Sequence, residues 1–185
     1  MDPEKDVAIA DAVCHVLAEV GYSRFTMDDV AMAARVGKAA IYRRWPTKTD
    51  LLISYLESSD IGASAAPDLG SLRDDLTELL TGVCGLLNSP AGRANRTLLG
   101  VIHDDPALLD AYRRGPLNRW STAFAKVFAR AAARGEMRPE AATSVPAEAG
   151  PAILITRWFV TGQEVDEAAV VAVVDEVMLP LLCGT

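Results

Sequence analysis

Apolar residues recur at helical spacing through the first third of the chain. They fall three or four positions apart in several short runs, the pattern of helices with one buried face. Thr26 and Thr47 stand where helix N-caps are expected, each with an acidic residue three positions later, and Gly21 and Pro46 are stop signals. The pattern predicts four helices, over about residues 3–20, 26–34, 38–45 and 47–58.

A stretch rich in Ser, Ala, Gly, Pro and Asp over residues 58–70 indicates a linker, and helical spacing returns beyond it. Ser71, Ser89-Pro90 and Asp105-Pro106 are typical helix starts, because proline is tolerated at the first helical position. Gly115-Pro116 is expected to break or kink the helix that contains it. The apolar face then continues to Gly135.

The last third is ambiguous between helix and strand. Residues 152–160 are rich enough in β-branched and aromatic side chains to form a buried strand. We favour a helix, because a lone strand would find no partner elsewhere in this sequence, and a final helix is predicted over about 166–182. The fold class expected is all-α, with about nine helices.

Charge is distributed unevenly. The chain has a net charge of −7, yet residues 22–50 hold six basic and three acidic side chains, which leaves −10 for the remainder. From Arg35 to Lys48 there are five basic residues and no acidic one. A localised basic segment on an acidic protein is compatible with binding to duplex phosphates.

Several classes of function lack support in the sequence. No apolar run is long enough to span a bilayer, and the charged start has no signal-peptide core, so we expect a cytoplasmic protein with no membrane association. Cys14, Cys84 and Cys183 are odd in number and far apart, which fits free thiols. No catalytic motif is present, and neither a cofactor nor a metal is expected; His103-Asp104-Asp105 is better explained by helix capping.

The second and third predicted helices form a helix-turn-helix with the tight connection Arg35-Val36-Gly37. Ile41 and Trp45, four positions apart, are expected to face inward and anchor the third helix. Its N-terminal end presents small or polar side chains for base edges, namely Lys38, Ala39 and Ala40. Candidate phosphate ligands are Thr26, at the positive end of its helix, and Tyr42, Arg43, Arg44 and Lys48.

At these residues the sequence resembles the TetR family of regulators. The stretch from Val36 to Lys48 (VGKAAIYRRWPTK) is similar to that family's recognition-helix signature, and so is the stretch from Phe25 to Ala31 (FTMDDVA). The strong match covers about the first third of the chain. The remainder resembles the family in helical character and length, and in details such as Ala133-Arg134-Gly135-Glu136.

The resemblance implies a helix-turn-helix DNA-binding domain over residues 1–50, with a connecting helix over 47–58. A helical domain for ligand binding and dimerisation would occupy residues 59–185. The DNA-facing residues would be Thr26, Arg35, Lys38, Ala39, Ala40, Tyr42, Arg43, Arg44 and Lys48. Arg35 stands where the family often has glycine, and positive φ there would cost about 1 kcal/mol. Ala40 replaces a commoner threonine and leaves a methyl group that can meet thymine.

The function expected is a ligand-responsive, non-enzymatic transcription regulator, most simply a repressor. Two chains would bind a palindromic double-stranded operator as a homodimer and release it on binding a small, apolar effector. The candidate effector pocket comprises Leu79, Val83, Leu99, Ile102, His103, Trp120, Phe124 and Trp158. The candidate dimer interface comprises Ile153, Val170, Val173, Val174 and Val177.

Other functions remain open at this point. The basic patch could serve a helical protein-binding module, or the chain could be a DNA-binding regulator, repressor or activator, that needs no ligand. A small helical enzyme using His103 and nearby carboxylates is a third alternative. Discrimination between a palindromic promoter fragment and random duplex separates the first alternative from a regulator.

Overall fold

The structure, a computed structural model, describes residues 3–58 and 66–184, and these residues form helices and turns with no strand. Nine helices are found in this part of the chain when a π-helical turn is counted with the helix that it continues. They are α1 (Pro3–Arg24), α2 (Met27–Ala33), α3 (Lys38–Arg44), α4 (Lys48–Ser58), α5 (Leu72–Asn88), α6 (Pro90–Leu99), α7 (Pro106–Tyr112, the π turn Arg113–Leu117 and Asn118–Ala133), α8 (Val145–Thr156 and the π turn Arg157–Thr161) and α9 (Glu167–Val173, the π turn Val174–Met178 and Leu179–Cys183). Part of the predicted linker, residues 59–65, lies outside the described residues.

The helix starts are those that the capping signals predict. Thr26 accepts from the Asp29 amide at 3.1 Å, and the Thr47 hydroxyl and Asp50 carboxylate each accept the other's backbone N–H. Ser89 and Asp105 cap α6 and α7 in front of a proline. In α1 the helical conformation is interrupted at the predicted stop, Gly21, whose φ is +72°.

Two expectations in the second half of the chain have different outcomes. Residues 152–160 are helical, as the lack of a partner strand indicates. Gly115-Pro116 does not end its helix, because the chain passes through the π turn Arg113–Leu117 and continues as the second part of α7. Proline lacks the N–H that the regular ladder requires, and a π turn is one distortion by which a helix continues past such a position.

The chain divides into two compact units, and the first comprises residues 1–62 with 89–118. In this unit α1 packs against α6 and α2, and α4 packs against the beginning of α7. The periodic apolar faces supply its core, in which Val13, Leu17, Val30, Leu52 and Leu98 are almost fully buried. These contacts form the framework that carries α2 and α3.

The second unit comprises residues 63–88 and 119–185. α9 packs against α5 and α8 there, and Gly150 lets α8 approach the buried side chain of Met178. Asp75, fully buried, accepts hydrogen bonds from the Leu69 amide at 2.6 Å and from Arg134 at 3.1 Å. The domain boundary predicted between residues 58 and 59 stays a prediction. No described helix is long and apolar enough to cross a bilayer.

Candidate nucleic-acid interface

The helix-turn-helix is built from α2, a four-residue connection and α3. The Val36 amide donates to Ala31 O at 3.0 Å and the Arg35 amide to Met32 O at 3.2 Å, the bonding pattern of a Schellman motif. Arg35 takes the position that this motif usually gives to glycine, and its φ is +54°. The positive φ expected from the sequence is therefore present, in a residue that pays a steric cost for it.

Two side chains fix α3 to the rest of the first unit. Ile41 and Trp45 have only 1% and 9% of their surface exposed, as their spacing predicts. With these two facing inward, the helical period turns Ala39 and Arg43 outward, and both are exposed. Lys38 and Tyr42 form one flank of that exposed strip, and Ala40 and Arg44 form the other.

The flank made by Lys38 and Tyr42 is held by a carboxylate of α2. Lys38 Nζ donates to Asp28 Oδ2 at 2.6 Å, and the Tyr42 hydroxyl donates to Asp28 Oδ1 at 3.2 Å. The hydrogen bond from Lys38 holds the pKa of the Asp28 carboxyl below its ordinary value, and the same bond raises the pKa of Lys38. All three side chains are exposed to solvent or nearly so, beside the exposed strip.

The opposite flank is held by α1. Arg44 makes an ion pair with Asp6, and its guanidinium lies 4.4 Å from the centroid of the Trp45 ring. The hydrogen bond from Arg44 lowers the pKa of the Asp6 carboxyl. Arg44 therefore has a structural partner in the free chain, in addition to the DNA-facing position that the sequence assigns to it.

Thr26 and Lys48 lie at the ends of α2 and α4. The Thr26 hydroxyl is exposed and donates to Asp29 Oδ2 at 2.5 Å. The Lys48 ammonium lies 3.7 Å from the centroid of the Tyr22 ring and donates to the Tyr22 carbonyl. Partial burial lowers the pKa of Lys48. To donate to a phosphate oxygen, the Thr26 hydroxyl would first leave the Asp29 carboxylate, and Lys48 would first leave the Tyr22 carbonyl.

A basic cleft connects the turn to the end of α3. Its volume is about 630 Å³, and it lies between the start of α1 and the turn and outer face of α3. Four of its five charged lining side chains are basic, namely Lys5, Arg35, Arg43 and Arg44, and the fifth is Asp6. The basic character that the sequence predicts is thus gathered on one side of the first unit.

The residues predicted for an effector pocket divide between the two units. Leu99, Ile102 and His103 belong to the first unit, where Ile102 is buried and His103 is exposed. The others belong to the second, where Leu79, Val83 and Trp158 are buried and Trp120 and Phe124 are half-buried. Asp105, adjacent to the exposed His103-Asp104 pair, caps α7 and accepts from the Thr49 hydroxyl at 3.1 Å.

The residues predicted for a dimer interface differ in burial. Val170, Val173 and Val174 are buried by the second unit's own side chains, so they offer no surface to another chain. Apolar periodicity predicts that one face of a helix is buried, but it does not identify the surface that covers that face. Here the face is covered by residues of the same chain. Ile153 and Val177 are half-buried, and the exposed apolar side chains nearest to them in sequence on α8 and α9 are Phe159, Val160 and Leu181.

Three residues of the site carry no sequence signal for the contacts they make. Asp28 looks like part of the α2 cap, and Asp6 and Tyr22 look like ordinary surface positions of α1. Asp28 is ten residues from Lys38, and Asp6 is 38 residues from Arg44. Only the packing of α1 and α2 beside α3 and α4 brings these residues to their partners.

The chain is similar to known regulators along most of its length. The family model described as "Bacterial regulatory proteins, tetR family" matches residues 9–55. A second model, "Tetracyclin repressor-like, C-terminal domain", matches residues 66–177. A DNA-binding transcriptional repressor TetR of Mycobacteroides abscessus is 31% identical over 183 residues, which cover 96% of this chain and 94% of that protein.

Solved structures share the fold. A protein of Mesorhizobium loti described as a TetR-family transcriptional regulator has a TM-score of 0.76 over 97% of this chain and 95% of its own, at 18% identity. The multidrug binding protein EbrR in complex with ethidium has a TM-score of 0.65 over 96% of this chain and 98% of its own, at 22% identity.

Proposed function

The chain belongs to the TetR family of bacterial transcription regulators, and on that premise we propose that it is a cytoplasmic repressor. Two copies bind a palindromic operator, and a small apolar effector releases them. The similarity to a DNA-binding transcriptional repressor over nearly the whole chain supports repression over activation. The family is one of regulators, not enzymes.

One observation carries the proposal of DNA binding. α3 is anchored by Ile41 and Trp45 and turns Ala39 and Arg43 outward, between cationic flanks formed by Lys38 and Arg44. A short helix of this kind fits the major groove, where small side chains approach base edges and basic ones meet the phosphates. Lys38 and Ala39 face the bases, with Ala40 beside them, and Thr26, Arg35, Tyr42, Arg43, Arg44 and Lys48 contact the backbone.

Dimerisation supplies the second half-site. Successive major grooves on one side of B-DNA are roughly 34–36 Å apart, which two recognition helices can match only when two chains pair. We place the pairing surface on α8 and α9, where Val160 and Leu181 have 72% and 46% of their surfaces exposed. Apolar side chains gathered at a surface favour association. Ile153 and Val177, which are half-buried on the same two helices, are included in the proposed surface.

The effector site is proposed in the second unit, near the aromatic residues of α7. The Trp120 indole N–H is buried and has no hydrogen-bond acceptor among the described residues, so a polar atom of a ligand can satisfy it. Phe124 lies one turn further along, and Leu79, Val83 and Trp158 supply buried apolar surface. A small aromatic compound suits this lining, and ethidium in EbrR is such a molecule. Leu99, Ile102 and His103 remain candidates from the first unit.

DNA binding is tested by selecting duplexes from a random-sequence library with the wild-type protein. Lys48→Ala should weaken binding to the selected duplex and to a shuffled one alike, with a smaller salt dependence, because its ammonium neutralises a phosphate. Tyr42→Ala should also weaken binding to the selected duplex but leave the salt dependence unchanged, because a phenol carries no charge that releases a counterion. Lys38→Ala should instead relax the base preference. Selection that returns no enriched sequence contradicts an operator-binding regulator and favours a protein-binding module.

Pairing and sensing are tested separately. Light scattering on the purified protein should give a dimer at micromolar concentration, and a monomer contradicts the pairing. Small aromatic compounds that raise the melting temperature of the free protein should also release the selected duplex, and Trp120→Phe should reduce both effects. Compounds that bind without releasing DNA contradict the effector mechanism and favour a regulator that needs no ligand.

A further inference from the structure

Asp28 engages two DNA-facing side chains at once. Its two carboxylate oxygens accept from Lys38 at 2.6 Å and from Tyr42 at 3.2 Å, two residues one turn apart on α3. The carboxylate thus bridges α2 to the flank of the recognition helix. All three side chains belong to α2 and α3, so the arrangement lies within the helix-turn-helix.

Asp28 is not the N-cap of α2, and its ion pair with Lys38 adds little to the stability of the fold. The N-cap of α2 is Thr26, which accepts from the Asp29 amide, and the Asp29 carboxylate in turn accepts from the Thr26 hydroxyl. The side chains of Asp28 and Lys38 are 46% and 65% exposed, and ion pairs in such positions contribute little to folding. The contact therefore has its main consequence for what α3 can bind.

The ion pair between Asp28 and Lys38 reduces the number of cations that can contact DNA phosphates. Binding without sequence preference draws its free energy from cations that meet phosphates and release counterions. Lys38 must leave a carboxylate before it can do so, and that carboxylate also repels phosphates nearby. The hydrogen bond from Lys38 keeps the pKa of Asp28 low, so the carboxylate is charged at neutral pH.

A matching operator is affected differently. Lys38 and Tyr42 are held in one arrangement before DNA arrives, so a duplex that fits this arrangement loses less side-chain freedom on binding. A duplex that does not fit must break the contacts to Asp28 and gains no base contact in return. The Asp28 carboxylate therefore weakens binding to non-operator duplexes and does not weaken binding to the operator.

We propose that Asp28 is a positioning residue that sets operator discrimination, by fixing Lys38 and Tyr42 for the operator and by suppressing their use on other duplexes. This rests on the proposed DNA-binding function. Asp28 is then a partner of the recognition helix within the same chain, with a role in specificity.

The test compares Asp28→Asn with the wild type on two duplexes of equal length. One is selected from a random-sequence library by the wild-type protein, and the other has the same composition in shuffled order. Fluorescence anisotropy over a salt series should show roughly two- to fivefold tighter binding of the shuffled duplex by the variant, the size of one exposed ion pair. Its log–log salt slope should steepen by about 0.9, the value for one added phosphate contact. The selected duplex should bind no more tightly, so the affinity ratio falls.

Two controls separate this role from a general change of charge. Glu19→Gln removes one negative charge from an exposed position of α1 and should leave the ratio unchanged. In a background that carries both Lys38→Met and Tyr42→Phe, Asp28→Asn should have no further effect on the ratio, because both contacts to Asp28 are already lost. Circular dichroism confirms folding, and Asp28→Ser repeats the test if the Asn variant is unfolded.

The outcomes are distinguishable. Equal changes on both duplexes, the same change with Glu19→Gln, or an effect that persists in the background lacking both Lys38 and the Tyr42 hydroxyl would each overturn the role of Asp28. Those results leave DNA binding itself intact. If the wild-type protein binds neither duplex, the proposed function fails, and this inference fails with it.

Discussion

Replacing Arg35 by glycine should stabilise the protein and weaken its binding to DNA. Arg35 has φ +54° within the Schellman motif that ends α2, and it is the one non-glycine residue with positive φ among the described residues. A side chain with a Cβ is strained there, and glycine is not. The proposed function explains the strained arginine in this turn, because its charge would contact a phosphate.

The magnitude follows from two opposing contributions. The left-handed conformation costs an L-residue about 1–2 kcal/mol. Glycine adds freedom to the unfolded chain, which costs roughly 0.5–1 kcal/mol. With the midpoints of these two ranges, the free energy of unfolding should rise by about 0.75 kcal/mol, and for a protein of this size the melting temperature should rise by about 1.5–3 °C.

The chain contains a matched control. Gly135 ends α7 with the same bonds, from its own amide to Ala132 O and from the Glu136 amide to Ala131 O, both at 3.0 Å. Its φ is +75°, and a Cβ there would have no neighbour within 4 Å. Gly135→Ala therefore tests backbone strain alone, and it should lower the melting temperature by a similar amount without changing DNA binding.

Thermal unfolding is measured at one protein concentration, because an associating protein has a concentration-dependent melting temperature. On the shuffled duplex, Arg35→Gly should reduce the salt slope by about 0.9, as expected for one lost phosphate contact. Arg35→Lys keeps both the charge and the strain and should change neither quantity. A melting temperature that does not rise refutes the strain argument, and an unchanged slope refutes the phosphate contact.

Three further predictions concern the second unit. Gly150→Ala should lower the free energy of unfolding by about 1–3 kcal/mol in urea titrations, because its Cβ would lie 2.8 Å from Met178 Cγ; in a double-mutant cycle with Met178→Ala the two losses should be less than additive, because the smaller side chain leaves room for the Cβ. Asp75→Ala should cost about 2–4 kcal/mol in the same titrations, because this buried carboxylate accepts two hydrogen bonds. Burial raises the pKa of Cys84 from 9.0 to about 11, so its contribution to stability is complete below pH 9 and is lost as pH rises through 11. Melting temperatures of wild type and Cys84→Ala should therefore converge across that range.

Local signals were readable from the sequence because they act within a few residues. The caps at Thr26, Thr47 and Ser89 satisfy amides two or three positions away, so residue type and spacing are sufficient to place them. The inward positions of Ile41 and Trp45 follow from the helical period in the same way. Family resemblance added the assignment of these elements to a DNA-binding motif.

The continuation of α7 through Gly115-Pro116 was not readable. Proline and glycine predict a disturbance of the helix, and both an end and a π turn satisfy that prediction. The surrounding structure decides between them, because Gly115 and Pro116 are buried in the first unit and packing holds the chain in helical form. The positive φ of Arg35 was expected on resemblance, and the structure supplies the two hydrogen bonds that impose it.

The sequence by itself determined the capped helix starts, the inward face of α3 and the basic segment, since each depends on neighbours within about one turn. Tertiary structure alone decided which acids meet which bases, as in Asp28 with Lys38 and Asp6 with Arg44. It also decided that Val170, Val173 and Val174 are covered by their own chain. An apolar period specifies that a face is buried. The segment that covers this face is set by packing between residues far apart in sequence, so it cannot be predicted from the period.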